Sequence, residues 1–475
     1  MNAMRLAATA AALTIACSGD GAAPATTPLA GTTTPSAAPD AAALDPEYLI
    51  YWDSFFGDLG NPGDRREALL EAIGAAAQED SAQRTFLIEL ALYPTPYRDR
   101  AWQLLDTGAP FSTEAVLALF GDLGPTVPED DLETYVEFKA ALLSTIDPGF
   151  GGFLNSAALR TISAQEVIWG GVPVDGIPPL NDPAFVSPEG ADAWILPSDL
   201  VIGVVINGDA RAYPRRIIDW HEMVNDTVGG VPVSLAYCTL CGSAILYDGR
   251  AGGQVLRFGT SGLLYRSNKL MYDTTTRTLW EQYTGEPAWG EMVGSGVRLD
   301  VLPAVHVTWA EWLAAHPDTG VLDIETGFRR DYGSGVAYAD YWASSDLRFP
   351  APDGQGPLEV KDIVFTVRIE GETVAYPIDL LAERGWIEDE IAGRGVVIVA
   401  SQDGHGGRAY ERGDVSFVAV DLRNAGLTGS DGREWQISEE ALVAADGTML
   451  LRLPGHNSFW FAVVNHAPVW RLYQE

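Results

Sequence analysis

The chain has 475 residues, room for two to four units at roughly 100–200 residues each. Its 30 Lys+Arg stand against 65 Asp+Glu, a net charge of −35 that repels phosphate backbones and so all but excludes nucleic-acid partners, and that disfavours direct docking on anionic lipid. Fifty Gly, 29 Pro, 14 Trp and 17 Tyr favour turns and short aromatic strands over a helical bundle, and three cysteines are too few for a disulfide scaffold.

Met1 to Ala16 reads as an export signal: Arg5 supplies the charge, Leu6 to Ala16 the apolar region, and Ala16 a small residue before Cys17. Thr14-Ile15-Ala16-Cys17 resembles a bacterial lipobox, with Thr14 where Leu is usual. That resemblance implies cleavage before Cys17 and lipidation of its thiol, hence an exported protein anchored by lipid and facing the periplasm or cell exterior. An ordinary signal peptide cut nearby is the alternative. Residues 18–44, rich in Ala, Pro, Thr, Ser and Gly, read as a disordered tether, because they cannot bury enough surface to offset their ordering entropy. No apolar run of about twenty residues follows, so the body is expected to span no membrane.

From 45 to 150 the pattern is helical. Apolar spacing predicts helices over Arg65–Gln78 (N-cap Asp64), Ser81–Leu92, Ala115–Phe120 behind Ser112-Thr113-Glu114, and Asp130–Leu143. Pro62-Gly63, Pro94 to Pro96, Gly124-Pro125 and Pro148-Gly149 break them. The segment has neither His nor Cys and reads as a packing or spacing domain.

Beyond 150 short β-type runs take over and a repeat emerges. VIGVVINGDARAYP (201–214) and VFTVRIEGETVAYP (364–377) share seven of fourteen positions at a constant offset of 163. Both read as hairpins turning at Asn207-Gly208 and Glu370-Gly371. Later landmarks keep their order: Trp280, Leu302-Pro303, His306, Trp309, then Trp435, Leu453-Pro454, His456, Trp460. The expected fold class is therefore α+β and multidomain. A small all-α domain precedes a mainly β, internally duplicated domain (151–475) of sandwich- or barrel-like halves, about 201–362 and 363–475. Chance similarity of two hairpins is the alternative.

The halves differ in chemistry. Cys238 falls 24 residues after Pro214, and the same count from Pro377 reaches Ser401. Val231–Tyr237 is a strand pattern, Cys238-Thr239-Leu240-Cys241-Gly242 a tight turn, and Ser243–Tyr247 a returning strand. Two convergent thiols with a Gly that tolerates positive φ have the shape of a metal knuckle, soft enough for zinc or copper. His221, 17 residues upstream, is the candidate third ligand. The set His221, Cys238, Cys241 leaves a fourth position open, with Glu222 placed to act as a general base. Asn225 stands where a zincin motif needs its second His, so that reading is rejected. Three alternatives stay open: a structural disulfide, a redox dithiol, and a merely structural His221. Gly259-Thr260-Ser261-Gly262 lacks the spacing of a hydrolase elbow, and His405 reads as part of a turn. His306 and His456 read as shared structural positions, and His316 as a helix cap; His466 stays unassigned.

AYPRRIIDWHEMVNDTVGGVPVSLAYCTLCGSAILYD (212–248), FGTSGLLYRSNKLMYDTTTRTLWEQYTGE (258–286) and WAEWLAAHPDT (309–319) resemble a family of exported prokaryotic proteins known as domain of unknown function 3179, as does FWFA (459–462). Thr239 departs from the Pro usual between the cysteines, and the tail after Ala462 departs too. The family carries no settled activity. The resemblance implies that His221, Glu222, Asn225, Asp226, Cys238, Cys241, Ser261, Asn268, Tyr272, Asp273 and Trp280 lie on its motifs. The density of polar residues there predicts a pocket of Ser261, Asn268, Asp273 and Trp280 beside the thiols, since each buried polar group needs a partner, and the resemblance adds Asn225, Asp226 and Tyr272 to it. Turn and corner roles for these residues are the alternative. The expected function is a cell-envelope lipoprotein with a mononuclear Cys/His site, hydrolytic or redox, for an unidentified small-molecule or metal ligand. Its rival is a non-catalytic binding module in which Cys238 and Cys241 form a structural or redox disulfide.

Overall fold

The computed structural model describes residues 70–474, apart from 72, 79–80, 96, 124–126, 128, 130–131 and 353–355. The export signal, Cys17, the tether at 18–44 and the cap Asp64 lie outside the described residues. The chain is mixed α+β: helices concentrate in the N-terminal part, and the rest is mainly β.

Helices run over Ser81–Leu92, Arg98–Leu104, Thr113–Leu123 and Leu132–Ser144. Arg98–Leu104, directly after the Pro94–Pro96 break, is an addition to the expected set. Leu87, Ile88, Ala91, Tyr135, Val136, Leu142 and Leu143 are fully buried between these helices. Their core also holds an ion pair: Lys139 Nζ lies 2.8 Å from Glu89 Oε1, both side chains fully buried. Tyr135 donates to the same oxygen at 2.5 Å, and Lys139 to the Ala164 carbonyl at 3.0 Å, while Glu89 Oε2 is buried without a hydrogen-bond partner. This core continues into Leu263, Tyr272 and Trp289 of the first large sheet, so the helices pack on the β part.

That sheet is an antiparallel meander of Phe258–Tyr265, Asn268–Asp273, Leu279–Glu281 and Glu286–Trp289, with Val167–Trp169 beside its first strand. A second sheet carries the thiols: Met223–Val228, Val231–Cys238 and Ser243–Asp248, flanked by Leu180–Asn181 and Val301–Leu302.

Two further sheets repeat one arrangement. Leu200–Ile206 pairs with Asp209–Pro214, with Val305–Thr308 antiparallel on one side and Gly320–Leu322 parallel on the other. Ile363–Ile369 pairs with Glu372–Pro377, with Gly455–Phe459 and Val469–Leu472 in the same two senses. Side-chain bonds recur at the offset of 163. Tyr213 donates to Asp226 Oδ2 at 2.7 Å and Tyr376 to Asp389 Oδ2 at 2.9 Å. The Gly229 amide donates to Asp209 at 3.0 Å and the Ala392 amide to Glu372 at 3.1 Å. Backbone bonds recur too: Trp309 N to Asp199 O and Trp460 N to Asp362 O, then Tyr237 N to Glu222 O and Ala400 N to Gly385 O. The strands Trp386–Ile391, Arg394–Ala400 and Gly407–Glu411 follow the second hairpin as Met223–Val228, Val231–Cys238 and Ser243–Asp248 follow the first, and open an eight-stranded antiparallel sheet.

Candidate dithiol site beside a cavity

Val231–Cys238 and Ser243–Asp248 are both buried along most of their length. Between them Thr239–Cys241 forms one 3₁₀ turn, and Gly242 (φ +60°) reverses the chain so that Cys238 pairs with Ser243. The turn brings two free thiols to 3.1 Å. Asn268 Nδ2 donates to Cys241 Sγ at 3.1 Å and to Gln282 Oε1 at 2.9 Å. Gln282 in turn donates to the Ala236 carbonyl at 2.8 Å and accepts from Ser243 Oγ at 3.2 Å. Cys241 is thus held by Asn268, which Gln282 ties in turn to the second sheet. Burial pushes its thiol up, the adjacent Cys238 sulfur adds to that, and Asn268 opposes it.

Cys238 borders a cavity of about 780 Å³ that Cys241 does not line. Glu222, Lys269 and Tyr338 share its wall. Thr239 Oγ1 donates to Glu222 Oε1 at 3.1 Å and Tyr338 Oη to the same oxygen at 3.5 Å; Lys269 Nζ stands 3.9 Å from Glu222 Oε2. Lys269 Nζ also donates to the Tyr237 carbonyl at 3.0 Å and to the Glu222 carbonyl. Burial raises the Glu222 carboxyl against the pull of Lys269, and burial lowers the Lys269 amine against Glu222 and the two sulfurs. Both shifts disfavour the charged form of each group, beside the thiols.

Glu222 is a left-handed residue, φ +52°, costing roughly 1–2 kcal/mol for a residue with a Cβ. At the matching place in the second arrangement the chain has Gly385, φ +78°, which carries no such cost. The backbone there favours glycine, yet the thiol-bearing arrangement has a buried carboxylate.

The other expected ligand is turned to different partners. His221 Nδ1 bonds the Pro178 carbonyl and Nε2 the Tyr332 hydroxyl, each at 2.7 Å, with the Phe328 and Tyr332 rings beside it. Neither nitrogen is free for a metal, and burial lowers the ring to about 4. Among the described residues no group of three or more His, Cys, Asp and Glu side chains is placed to hold a metal ion.

The seven expected pocket residues divide. Ser261 lines the cavity, at a bulge where Gly262 (φ +78°) leaves room that a Cβ would lack, 2.4 Å from the Val172 carbonyl. Asn268 grips the thiol. The remaining five make structural bonds. Asn225 donates to Asn181 and Phe258 and accepts from Ser234 and the Phe258 amide, joining the two sheets. Asp226 accepts from Tyr213, and Tyr272 donates to Asp175 at 2.6 Å. Asp273 caps its own turn through Thr275 and Thr276 and accepts from Trp280 Nε1 at 3.0 Å; Trp280 packs edge-on against Phe258. Lys269, Tyr338 and Gln282 are site residues that the sequence does not single out, and Thr239, marked there only as a departure in the turn, bonds Glu222. The helical part also joins in: Thr113, Glu114 and Leu117 form part of the cavity wall.

Asp219, one turn before Glu222, is 3% exposed, and burial raises it to about 7 although Arg215 Nε lies 3.6 Å away. The unfolded chain releases this proton near pH 4 and the folded protein near pH 7, so folding binds extra protons between them and stability falls as pH rises through that window. His221 works the opposite way, taking stability away as pH falls from about 6.5 to about 4. Comparing Asp219→Asn with the parent isolates the first effect. In urea unfolding, the variant is expected to gain on the order of 1–3 kcal/mol relative to the parent on going from pH 4 to pH 8. A pH-independent difference between the two would show that Asp219 is ionised throughout.

Fold and site together define an α+β protein with a buried Cys-x-x-Cys dithiol against a half-open cavity. A family model described as Protein of unknown function (DUF3179) matches residues 174–469, more than half of the chain, and the chain belongs to that family. No curated protein and no solved structure matches it. Among the described residues no helix is long and apolar enough to cross a membrane.

Proposed function

We propose that this chain is an exported, lipid-anchored thiol–disulfide redox protein acting on a small molecule in its cavity. The observation that carries the reading is one free thiol, Cys238, on the cavity wall with a second, Cys241, 3.1 Å behind it. Cys238 is the reacting thiol and Cys241 the resolving one. Oxidation breaks two S–H bonds, forms one S–S bond, and delivers two electrons and two protons to an acceptor in the cavity. Lys269 and Glu222 share the cavity wall with Cys238, and Glu222 carries the protons. The recurring bonds at offset 163 support an internal duplication in which only the first half bears the thiols. The zinc or copper ion expected from sequence would have to be held by these sulfurs without His221.

The test uses the full chain with Cys17→Ser, equilibrated in dithiothreitol buffers of graded potential, counting thiols by alkylation and mass and measuring bound metal. Two thiols that appear and disappear together in the native protein, with no bound metal, are expected. One zinc or copper per chain released by Cys238→Ser would replace this reading with a metal centre. A disulfide that opens only on denaturation would make the pair structural.

A further inference from the structure

Cys238 is 1% exposed and Cys241 fully buried, so a disulfide on another protein cannot reach them, and access runs through the cavity. Its volume lies within the 300–1,000 Å³ that enclose a drug-sized ligand. Leu117, Leu240, Leu264, Leu347 and Phe349 give it apolar walls. Beside Cys238 stand two hydrogen-bond donors, the Lys269 ammonium and the Tyr338 hydroxyl, whose one bond to Glu222 is long at 3.5 Å. A net charge of −35 disfavours phosphate-bearing electron carriers. The occupant must be apolar, carry oxygen acceptors, and take up two electrons with two protons.

Building on the redox reading above, we propose that the acceptor is a quinone. In the balanced step Cys238 and Cys241 lose their S–H protons and two electrons and form an S–S bond, while the quinone's two carbonyl oxygens gain the electrons and protons as two O–H groups. Lys269 and Tyr338 hold one carbonyl beside Cys238, and Glu222 passes the protons across.

The experiment mixes the reduced full chain (Cys17→Ser) with a short-chain, fully ring-substituted benzoquinone, which offers thiols no open ring position for addition. Quinol is followed by ultraviolet absorbance and the disulfide by mass. One quinol formed per disulfide is expected. Leu117→Trp and Leu347→Trp, which fill the cavity from two half-buried wall positions, are expected to slow quinol formation at least about tenfold while urea unfolding shows both variants folded and two thiols per chain are still counted after denaturation. Thiols that cycle against dithiothreitol but leave the quinone untouched would overturn the quinone assignment alone, as would wall variants with unchanged rates. Thiols that cycle with neither would overturn the redox reading itself.

Discussion

Replacing Cys238 by serine is expected to end two-electron cycling completely, whereas Cys241→Ser leaves a thiol that reacts once and stops. The asymmetry follows from placement. Cys238 borders the cavity and meets whatever enters; Cys241 is set back and gripped by Asn268 at 3.1 Å. With Cys241 gone, an adduct at Cys238 has no second sulfur to displace it, so a mixed disulfide with a small aromatic disulfide reagent accumulates at one per chain. With Cys238 gone, the remaining thiol is shielded and pushed up by burial, and labelling in the native state falls to background. Serine is close in size to cysteine and keeps a partner for Asn268, so both variants are expected to fold. Native-state mass measurement after reagent treatment, with unfolding curves alongside, reads both outcomes. Equal labelling of the two variants would remove the distinction between reacting and resolving thiols.

Much of this site was legible in the chain because its signals are local. Cys-x-x-Cys-Gly between two apolar strand patterns defines a hairpin tip whatever surrounds it, and the repeated Ala-Tyr-Pro hairpin announces two like sheets before any coordinate. Asn268 and Ser261 were reachable because polar residues inside an apolar meander require partners. The errors of grouping come from direction. His221 and Glu222 are neighbours in sequence, and a reading by proximity puts both in one site; the left-handed backbone at Glu222 sends its carboxylate to the cavity and leaves the imidazole among Pro178, Phe328 and Tyr332. Lys269 sits on a buried strand, where its pairing with two carbonyls and a carboxylate depends on the adjoining sheet. Tyr338 and Leu117 come from segments far away in sequence, one between the two hairpin arrangements and one in a helical part that carries no chemical signature of its own. Cavities closed by such long-range contacts leave no periodic or spaced pattern to read.

Lys269→Met is expected to be the most destabilising change at the site, by roughly 3–5 kcal/mol, the usual cost of removing one partner from a buried ion pair. The variant strips the donor from the Glu222 and Tyr237 carbonyls and leaves the Glu222 carboxylate buried beside two sulfurs with no cation. Such a carboxylate takes up a proton instead, so its folded-state pKa rises further above the unfolded value near 4.3. Folding then binds a proton across that interval, and the penalty measured in urea at pH 8 shrinks as pH falls toward 5. Adding Glu222→Gln removes the unpaired charge while keeping a side chain that still accepts from Thr239, and the double variant is expected to be more stable at pH 8 than Lys269→Met alone. The four proteins form a double-mutant cycle whose coupling isolates the pair. A coupling near zero would mean that Glu222 is already protonated and Lys269 already neutral, so that the proton beside Cys238 resides on the carboxyl group before any thiol reacts. The same variants separate structure from chemistry: loss of the cation from the cavity wall is expected to slow alkylation of Cys238 at fixed pH, even where urea shows the double variant to be fully folded.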